Sequence, residues 1–189
     1  MRLKIIGIDP GYAIVGYGVV EYEASRFVTL DYGAITTEAG EPFPLRLRQI
    51  YDELDLLLTR HKPDVMSVEK LFFTNNQKTA IDVAQARGVI MLCGEQHGVE
   101  YKEYTPLQVK QSVVGYGQAI KAQVMEMTRR LLCLEEVPKP DDTADALALA
   151  ICHAHSAPSL MPGRMAFRTG QYQKQTQAAA GTVRKKVKG

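Results

Sequence analysis

Two strand-like runs finish on a carboxylate. Lys4-Ile5-Ile6-Gly7-Ile8 ends on Asp9, and Asp64-Val65-Met66-Ser67-Val68 ends on Glu69. Both runs are apolar on both sides of the alternation, the mark of a strand buried on both faces, where an unpartnered carboxylate is costly. Asp142 and Asp145 stand three apart late in the chain and so share one helical face. Asp145 lies among Ala144, Ala146 and Leu149, where a charge again needs a partner. Taken singly, Asp9 is satisfied either by the turn at Pro10-Gly11 or by a cation at the crevice where α/β sheets bind ligands. Acids brought together repel unless a proton or cation sits between them, whereas unrelated strand-end acids would need neither. An all-carboxylate set suits Mg²⁺ or Mn²⁺ and leaves coordination positions for water and phosphate. One or two such ions per site would activate water and stabilise the leaving oxygen of a phosphodiester, which is nuclease chemistry.

The elements that must position these acids follow from the pattern. The first strand, a run from Tyr12 to Tyr22 and another from Arg26 to Thr37 form a three-stranded antiparallel meander. Pro42 and Pro44 precede a helix whose stripe is Leu47, Ile50, Tyr51, Leu54, Leu57 and Leu58, stopping before Pro63. The Glu69 strand, reached through that helix, lies parallel to the first by the right-handed crossover rule, which brings Asp9 and Glu69 to the same end. A long helix from Gln77 to His97 carries the small residues Ala80, Ala84 and Gly88, suited to close packing within the chain or against a second copy. After a charged, peripheral strand at Val99 to Tyr104, Thr105-Pro106 opens a helix through Lys110 to Val114. The next helix is expected near Gln118-Ala119, with Lys121 in its first turn. A cation there is oddly signed, and either a bound phosphate or solvation accounts for it. The last helix runs from about Thr143 to His153, and the expected architecture is α/β, a five-stranded mixed sheet with helices on both faces.

Composition narrows the class. The 189 residues, 46% hydrophobic, suit one domain over residues 1–156, followed by a flexible tail at 157–189. Net charge is +2, but all 21 acids lie before residue 161, and 7 of the 23 basic residues lie after it. The body is therefore acidic, and a polyanion site on it must be local or supported by cations. With no charged-then-apolar leader and no bilayer-length apolar run, the chain reads as cytoplasmic, with no membrane partner. Cys93, Cys133 and Cys152 have no paired spacing and read as reduced core residues; His153 and His155 diverge on a helix and share no metal.

Ile6-Gly7-Ile8-Asp9-Pro10-Gly11, Val68-Glu69, Gln85-Ala86-Arg87-Gly88, the segment Val109-Lys110-Gln111 through Val113-Val114-Gly115 to Lys121, and Asp142-Thr143-Ala144-Asp145-Ala146-Leu147-Ala148 occur in one order. Over residues 3–155 this resembles the RuvC-type Holliday junction resolvases. The resemblance implies a ribonuclease H-like fold, a homodimer, and Mg²⁺-dependent cutting of two symmetry-related strands of four-way junction DNA alongside RuvA and RuvB. By position it implies that Asp9, Glu69, Asp142 and Asp145 are the catalytic metal-binding acids. Lys110 and Lys121 fall on basic residues near the scissile phosphate, and Phe72, with Phe73 beside it, on an aromatic that stacks on opened bases. Asn75 and Asn76 replace a basic residue after the aromatics, leaving Lys78 as the nearest lysine to contact DNA. Two rivals are weighed. An actin- or sugar-kinase-like ATPase begins similarly but needs a second phosphate loop and domain. A non-catalytic junction-binding protein would not keep all four acids.

Overall fold

A computed structural model describes residues 2–70 and 77–157, and the side chains among them except those of 77–79. The elements are β1 (Leu3–Asp9), β2 (Ile14–Glu23), β3 (Arg26–Thr36), α1 (Phe43–His61), β4 (Val65–Glu69), α2 (Gln77–Gln96), β5 (Glu100–Tyr104), α3 (Pro106–Val114), α4 (Lys121–Leu131) and α5 (Asp141–Ser156). The sheet order is β3-β2-β1-β4-β5. β1, β2 and β3 pair antiparallel, as the meander predicts, while β4 pairs parallel to β1 and β5 parallel to β4. Ile8 lies opposite Val68, so the two strands reach their C-terminal ends side by side. Among the described residues, those up to Ser156 form one compact unit. None of the helices in the described residues is long and apolar enough to cross a membrane.

The two faces of the sheet are covered differently. On one, Ile6, Ile8, Val15, Val19, Met66 and Val68 join Ile50, Leu54 and Leu58 of α1 and Ile90 and Cys93 of α2 in the main apolar core. On the other, α5 lies directly on β1 and β2. A Cβ at Gly7 would come 1.9 Å from the Ala146 carbonyl oxygen, and one at Gly16 would come 2.0 Å from that of Asp142. Only glycine allows this approach. The Ser67 hydroxyl donates to the Leu149 carbonyl at 2.7 Å and the Thr143 hydroxyl to the Gly33 carbonyl at 3.0 Å, pinning the helix at two points.

Local chemistry sets the remaining boundaries. Thr105 caps α3 in a reciprocal box with Gln108, and Gly115 ends it in the left-handed region at φ 94°. α4 begins at Lys121, three residues after the expected start, because the Gln123 side chain accepts from the Ile120 N–H and fixes the entry there. Cys93 and Cys152 are buried as expected, but Cys133 is exposed in the turn after α4 at φ 53° and is no core residue. The Phe72 and Phe73 stacking aromatics, Asn75, Asn76, and the tail beyond Ala157 lie outside the described residues, as does the Lys78 side chain.

Candidate active site

Asp9 and Glu69 are the last residues of adjacent parallel strands. The chain just beyond each is held by a buried arginine from the opposite face. Arg46 of α1 donates to the Thr37 hydroxyl at 2.8 Å and to the Tyr12 carbonyl at 3.3 Å, fixing the turn after Asp9. Arg87 of α2 donates to the main-chain carbonyl of Glu69 itself and to the Glu103 carboxylate.

The glycine-mediated approach of α5 then carries its first two turns to the same place. Asp142 lies over Gly16, which pairs with Asp9 across the β1–β2 ladder. Asp9 feels the charges of Glu69, Asp145 and Asp142, and Glu69 feels that of Asp145. Burial, followed by these three carboxylates, pushes Asp9 up to about 7. Burial and then Asp145 push Glu69 upward, against Arg87 and Lys121. Asp145 is raised chiefly by burial, against its bond to Lys121. Four acids that disfavour one another's charge at a sheet end need positive charge among them.

Lys121 supplies one. Its ammonium lies 3.0 Å from Asp145 and 3.2 Å from Asp141. Burial lowers its pKa, but the bonds to the two aspartates outweigh this and the net is upward. The odd sign of Lys121 at a helix start is thus answered by aspartates of α5. Asp141, the first residue of α5, also takes part in this pair. Lys110 and Lys121, with Glu69, Asp145, Val109 and Val124, line an open cavity of about 200 Å³. The donor set, all carboxylate oxygens with a lysine ammonium already on one of them, fits a hard divalent cation.

Among the described residues, the set of three metal-capable side chains with ligand atoms all within 4.8 Å of one another is Asp55, Cys93 and His97, between α1 and α2. No three of the four acids meet that spacing. In the α1–α2 set His97 bonds Asp55 at 2.7 Å, and burial pushes the Cys93 thiol up to about 11, so it stays protonated. His153 and His155 are separate: the first bonds the Tyr104 hydroxyl at 2.7 Å and the second the Ser112 carbonyl at 3.0 Å. Sequence reasoning missed the role of Arg87. The run Gln85-Ala86-Arg87-Gly88, one of those that carry the resemblance, was the available signal.

A mixed sheet with two acid-ended central strands, crossed by a helix bearing two more acids, defines a ribonuclease H-like nuclease class. The family model for "Crossover junction endodeoxyribonuclease RuvC" matches residues 5–153, and the chain belongs to that family. The RuvC of Brevibacillus brevis is 60% identical over 152 residues, 80% of this chain and 92% of that protein. That of Alkaliphilus oremlandii is 58% identical, with 80% and 93% covered. The structure superposes on Thermus thermophilus RuvC in complex with Holliday junction substrate at TM-score 0.78 and 36% identity, over 81% of this chain and 93% of that one. The yeast mitochondrial Holliday junction resolvase, 15% identical at TM-score 0.56 with 81% and 79% covered, shares the fold.

Proposed function

We propose that this chain is a structure-selective endodeoxyribonuclease that resolves four-way DNA junctions in the cytoplasm by paired, symmetric phosphodiester hydrolysis during recombination and repair. The observation that carries this is the convergence of two strand-end acids and two acids of α5 beside a cavity lined by Lys110 and Lys121, in a chain of the RuvC family. Asp9, Glu69, Asp142 and Asp145 would hold Mg²⁺ or Mn²⁺, one or two ions per site. When bound, such ions supply an activated water and neutralise charge on the leaving oxygen. Lys110 and Lys121 bind the phosphate of the strand to be cut, and Lys121 leaves Asp145 for the phosphate as DNA enters. Phe72 and Phe73 keep the role that resemblance gives them, contact with opened bases, and Lys78, the nearest lysine after them, contacts the nearby DNA backbone.

Two equivalent cuts call for two equivalent sites, supplied by a homodimer. Supporting it, Ile81, Met91 and Leu92 are exposed on α2 around Gly88, where a Cβ would meet nothing within 4 Å among the described residues. This open space favours the second of the two packings weighed for Gly88, against another copy of the chain. RuvA and RuvB are the expected partners in junction processing. The nuclease domain is read as 1–156, with the basic residues of 157–189 adding salt-sensitive, sequence-blind affinity.

The test is incubation with a synthetic four-way junction beside linear duplex, an RNA–DNA hybrid and ATP. Paired nicks near the crossover are expected from the junction alone. Hybrid cleavage or ATP turnover in its place would overturn the reading.

A further inference from the structure

Arg87 is one of two buried arginines that come from the far side of the sheet to fix the chain beside a strand-end acid, and it alone of the two touches the acid's own residue. It is only 6% exposed. One arm of its guanidinium donates to the Glu69 carbonyl and the other to the Glu103 carboxylate, while its Cζ lies over the Tyr101 ring, 5.8 Å from the centroid. Tyr101 and Glu103 both belong to β5. The next residue, Lys70, donates its N–H to the Tyr104 carbonyl at 2.8 Å. The end of β4 is therefore clamped on two sides where the chain leaves the sheet. Arg87 is also one of two cations whose field reaches the Glu69 carboxylate, the other being Lys121 on the cavity side.

A buried guanidinium is expensive to desolvate, and a hydrophobic residue of similar volume would serve packing as well or better. A planar fork that joins a carbonyl to a carboxylate fixes direction, which neither a lysine nor an apolar side chain does. Groups behind a metal ligand that hold its orientation typically govern about 10–100-fold in metal affinity.

We propose that Arg87 is a positioning residue for the divalent-cation site: by gripping the main chain of Glu69 against Glu103, it holds that carboxylate toward Asp9 and Asp145 before the cation arrives. This rests on the assignment of the four acids as the cation site. The test is Mn²⁺ titration of the full chain by calorimetry without DNA, with unfolding midpoints and Mg²⁺ dependence of junction cleavage alongside. Arg87→Met is expected to weaken Mn²⁺ binding by roughly tenfold or more, to raise the Mg²⁺ needed for half-maximal cleavage in proportion, and to leave junction binding in chelator unchanged. Arg87→Lys, which keeps the charge but loses the fork, falls between, and it decides by the same measure if Arg87→Met does not fold.

Ile50→Val is the control, since Ile50 is buried in the apolar core beneath α1 and has no part in the acid cluster. It should lower the unfolding midpoint with Mn²⁺ affinity intact. Wild-type affinity in the folded Arg87 variants, or equal loss in Ile50→Val, overturns the proposal. If Mn²⁺ binding survives Asp9→Asn undiminished, the site assignment itself fails, and this inference with it.

Discussion

The two faces of the sheet solve opposite problems. Under α1 and α2, large aliphatic residues such as Ile8, Ile50, Leu54 and Ile90 fill the space between layers, and each fully buried one contributes roughly 1.5–3 kcal/mol of apolar burial. Under α5 the sheet offers Gly7 to the backbone of Ala146 and Ala150 and Gly16 to that of Asp142, so backbone meets backbone, while Gly18 makes room for the Leu147 side chain. That second face gives up side-chain burial for proximity. The difference teaches where the chemistry comes from: a helix held off by leucines could not carry Asp142 and Asp145 to strands that end on Asp9 and Glu69.

The largest expected effect breaks the α5 side without touching the other. Asp9→Asn, Glu69→Gln and Asp145→Asn each remove a charge from the cluster. Each is expected to cut junction cleavage by roughly 10²–10³-fold or more, the scale of losing one group that stabilises developing charge. Gel-shift binding of the four-way junction in chelator should persist. Retained Mg²⁺-dependent cutting in any of the three contradicts the assignment.

Next comes a pH dependence that belongs to the acid cluster alone. Asp9 stands at about 7 in the folded chain against 3.8 ordinarily, so the folded state binds this proton more tightly than the unfolded one. Its contribution to stability is full below about pH 4 and is lost as pH rises to 7, up to roughly 4 kcal/mol on the usual conversion of pKa shifts. Urea unfolding in chelator at pH 5 and pH 8 should show wild type losing more stability than Asp9→Asn between the two. Mg²⁺ at pH 8 should restore wild type by mass action and do little for the variant. Equal slopes in the two proteins would refute the coupling.

A smaller contrast uses one methyl group on each face. Gly16→Ala puts a Cβ 2.0 Å from the Asp142 carbonyl oxygen and must push α5 away, costing about 1–3 kcal/mol and most of the cleavage rate. Ile50→Val, in the opposite core, removes a methyl for about 0.5–1.5 kcal/mol and should leave the rate of the folded enzyme unchanged. Chemical denaturation and cleavage under saturating Mg²⁺ separate the two, and parallel losses of rate would erase the distinction between the faces.

How far this division was legible in the sequence differs by level. The alternating runs ending on Asp9 and Glu69, with a helix between them, dictated parallel neighbours with adjacent ends, because handedness leaves little choice. The paired acids of α5 were legible as a face. The glycines were visible in their strands, but which helix would lie on them depends on packing between residues more than a hundred positions apart. Lys121 was recognised as oddly signed at a helix start, yet its partners belong to another element, and periodicity gives a side chain's face without naming what lies opposite. Arg87 was hidden for the same reason, and the start of α4 depended on a single side-chain bond from Gln123.

The smallest effect sets the two ends of α5 against each other. At its C-terminal end His153, 6% exposed, bonds the Tyr104 hydroxyl, and burial holds its pKa below the ordinary value, with Glu100 opposing and Lys102 assisting. Here the folded state binds the proton less tightly than the unfolded one, so stability is lost as pH falls through about 6.5, the reverse of the Asp9 end. Tyr104→Phe should cost about 1 kcal/mol at pH 8, the net worth of one hydrogen bond, with the imidazole left short of a partner. His153→Phe should remove the His153 contribution below about pH 6.5 while the opposite, Asp9-dependent slope between about pH 4 and 7 survives. If that substitution flattens both, the two ends of the helix titrate as one unit, and the acid cluster is not the separate device that the glycine-lined face was built to assemble.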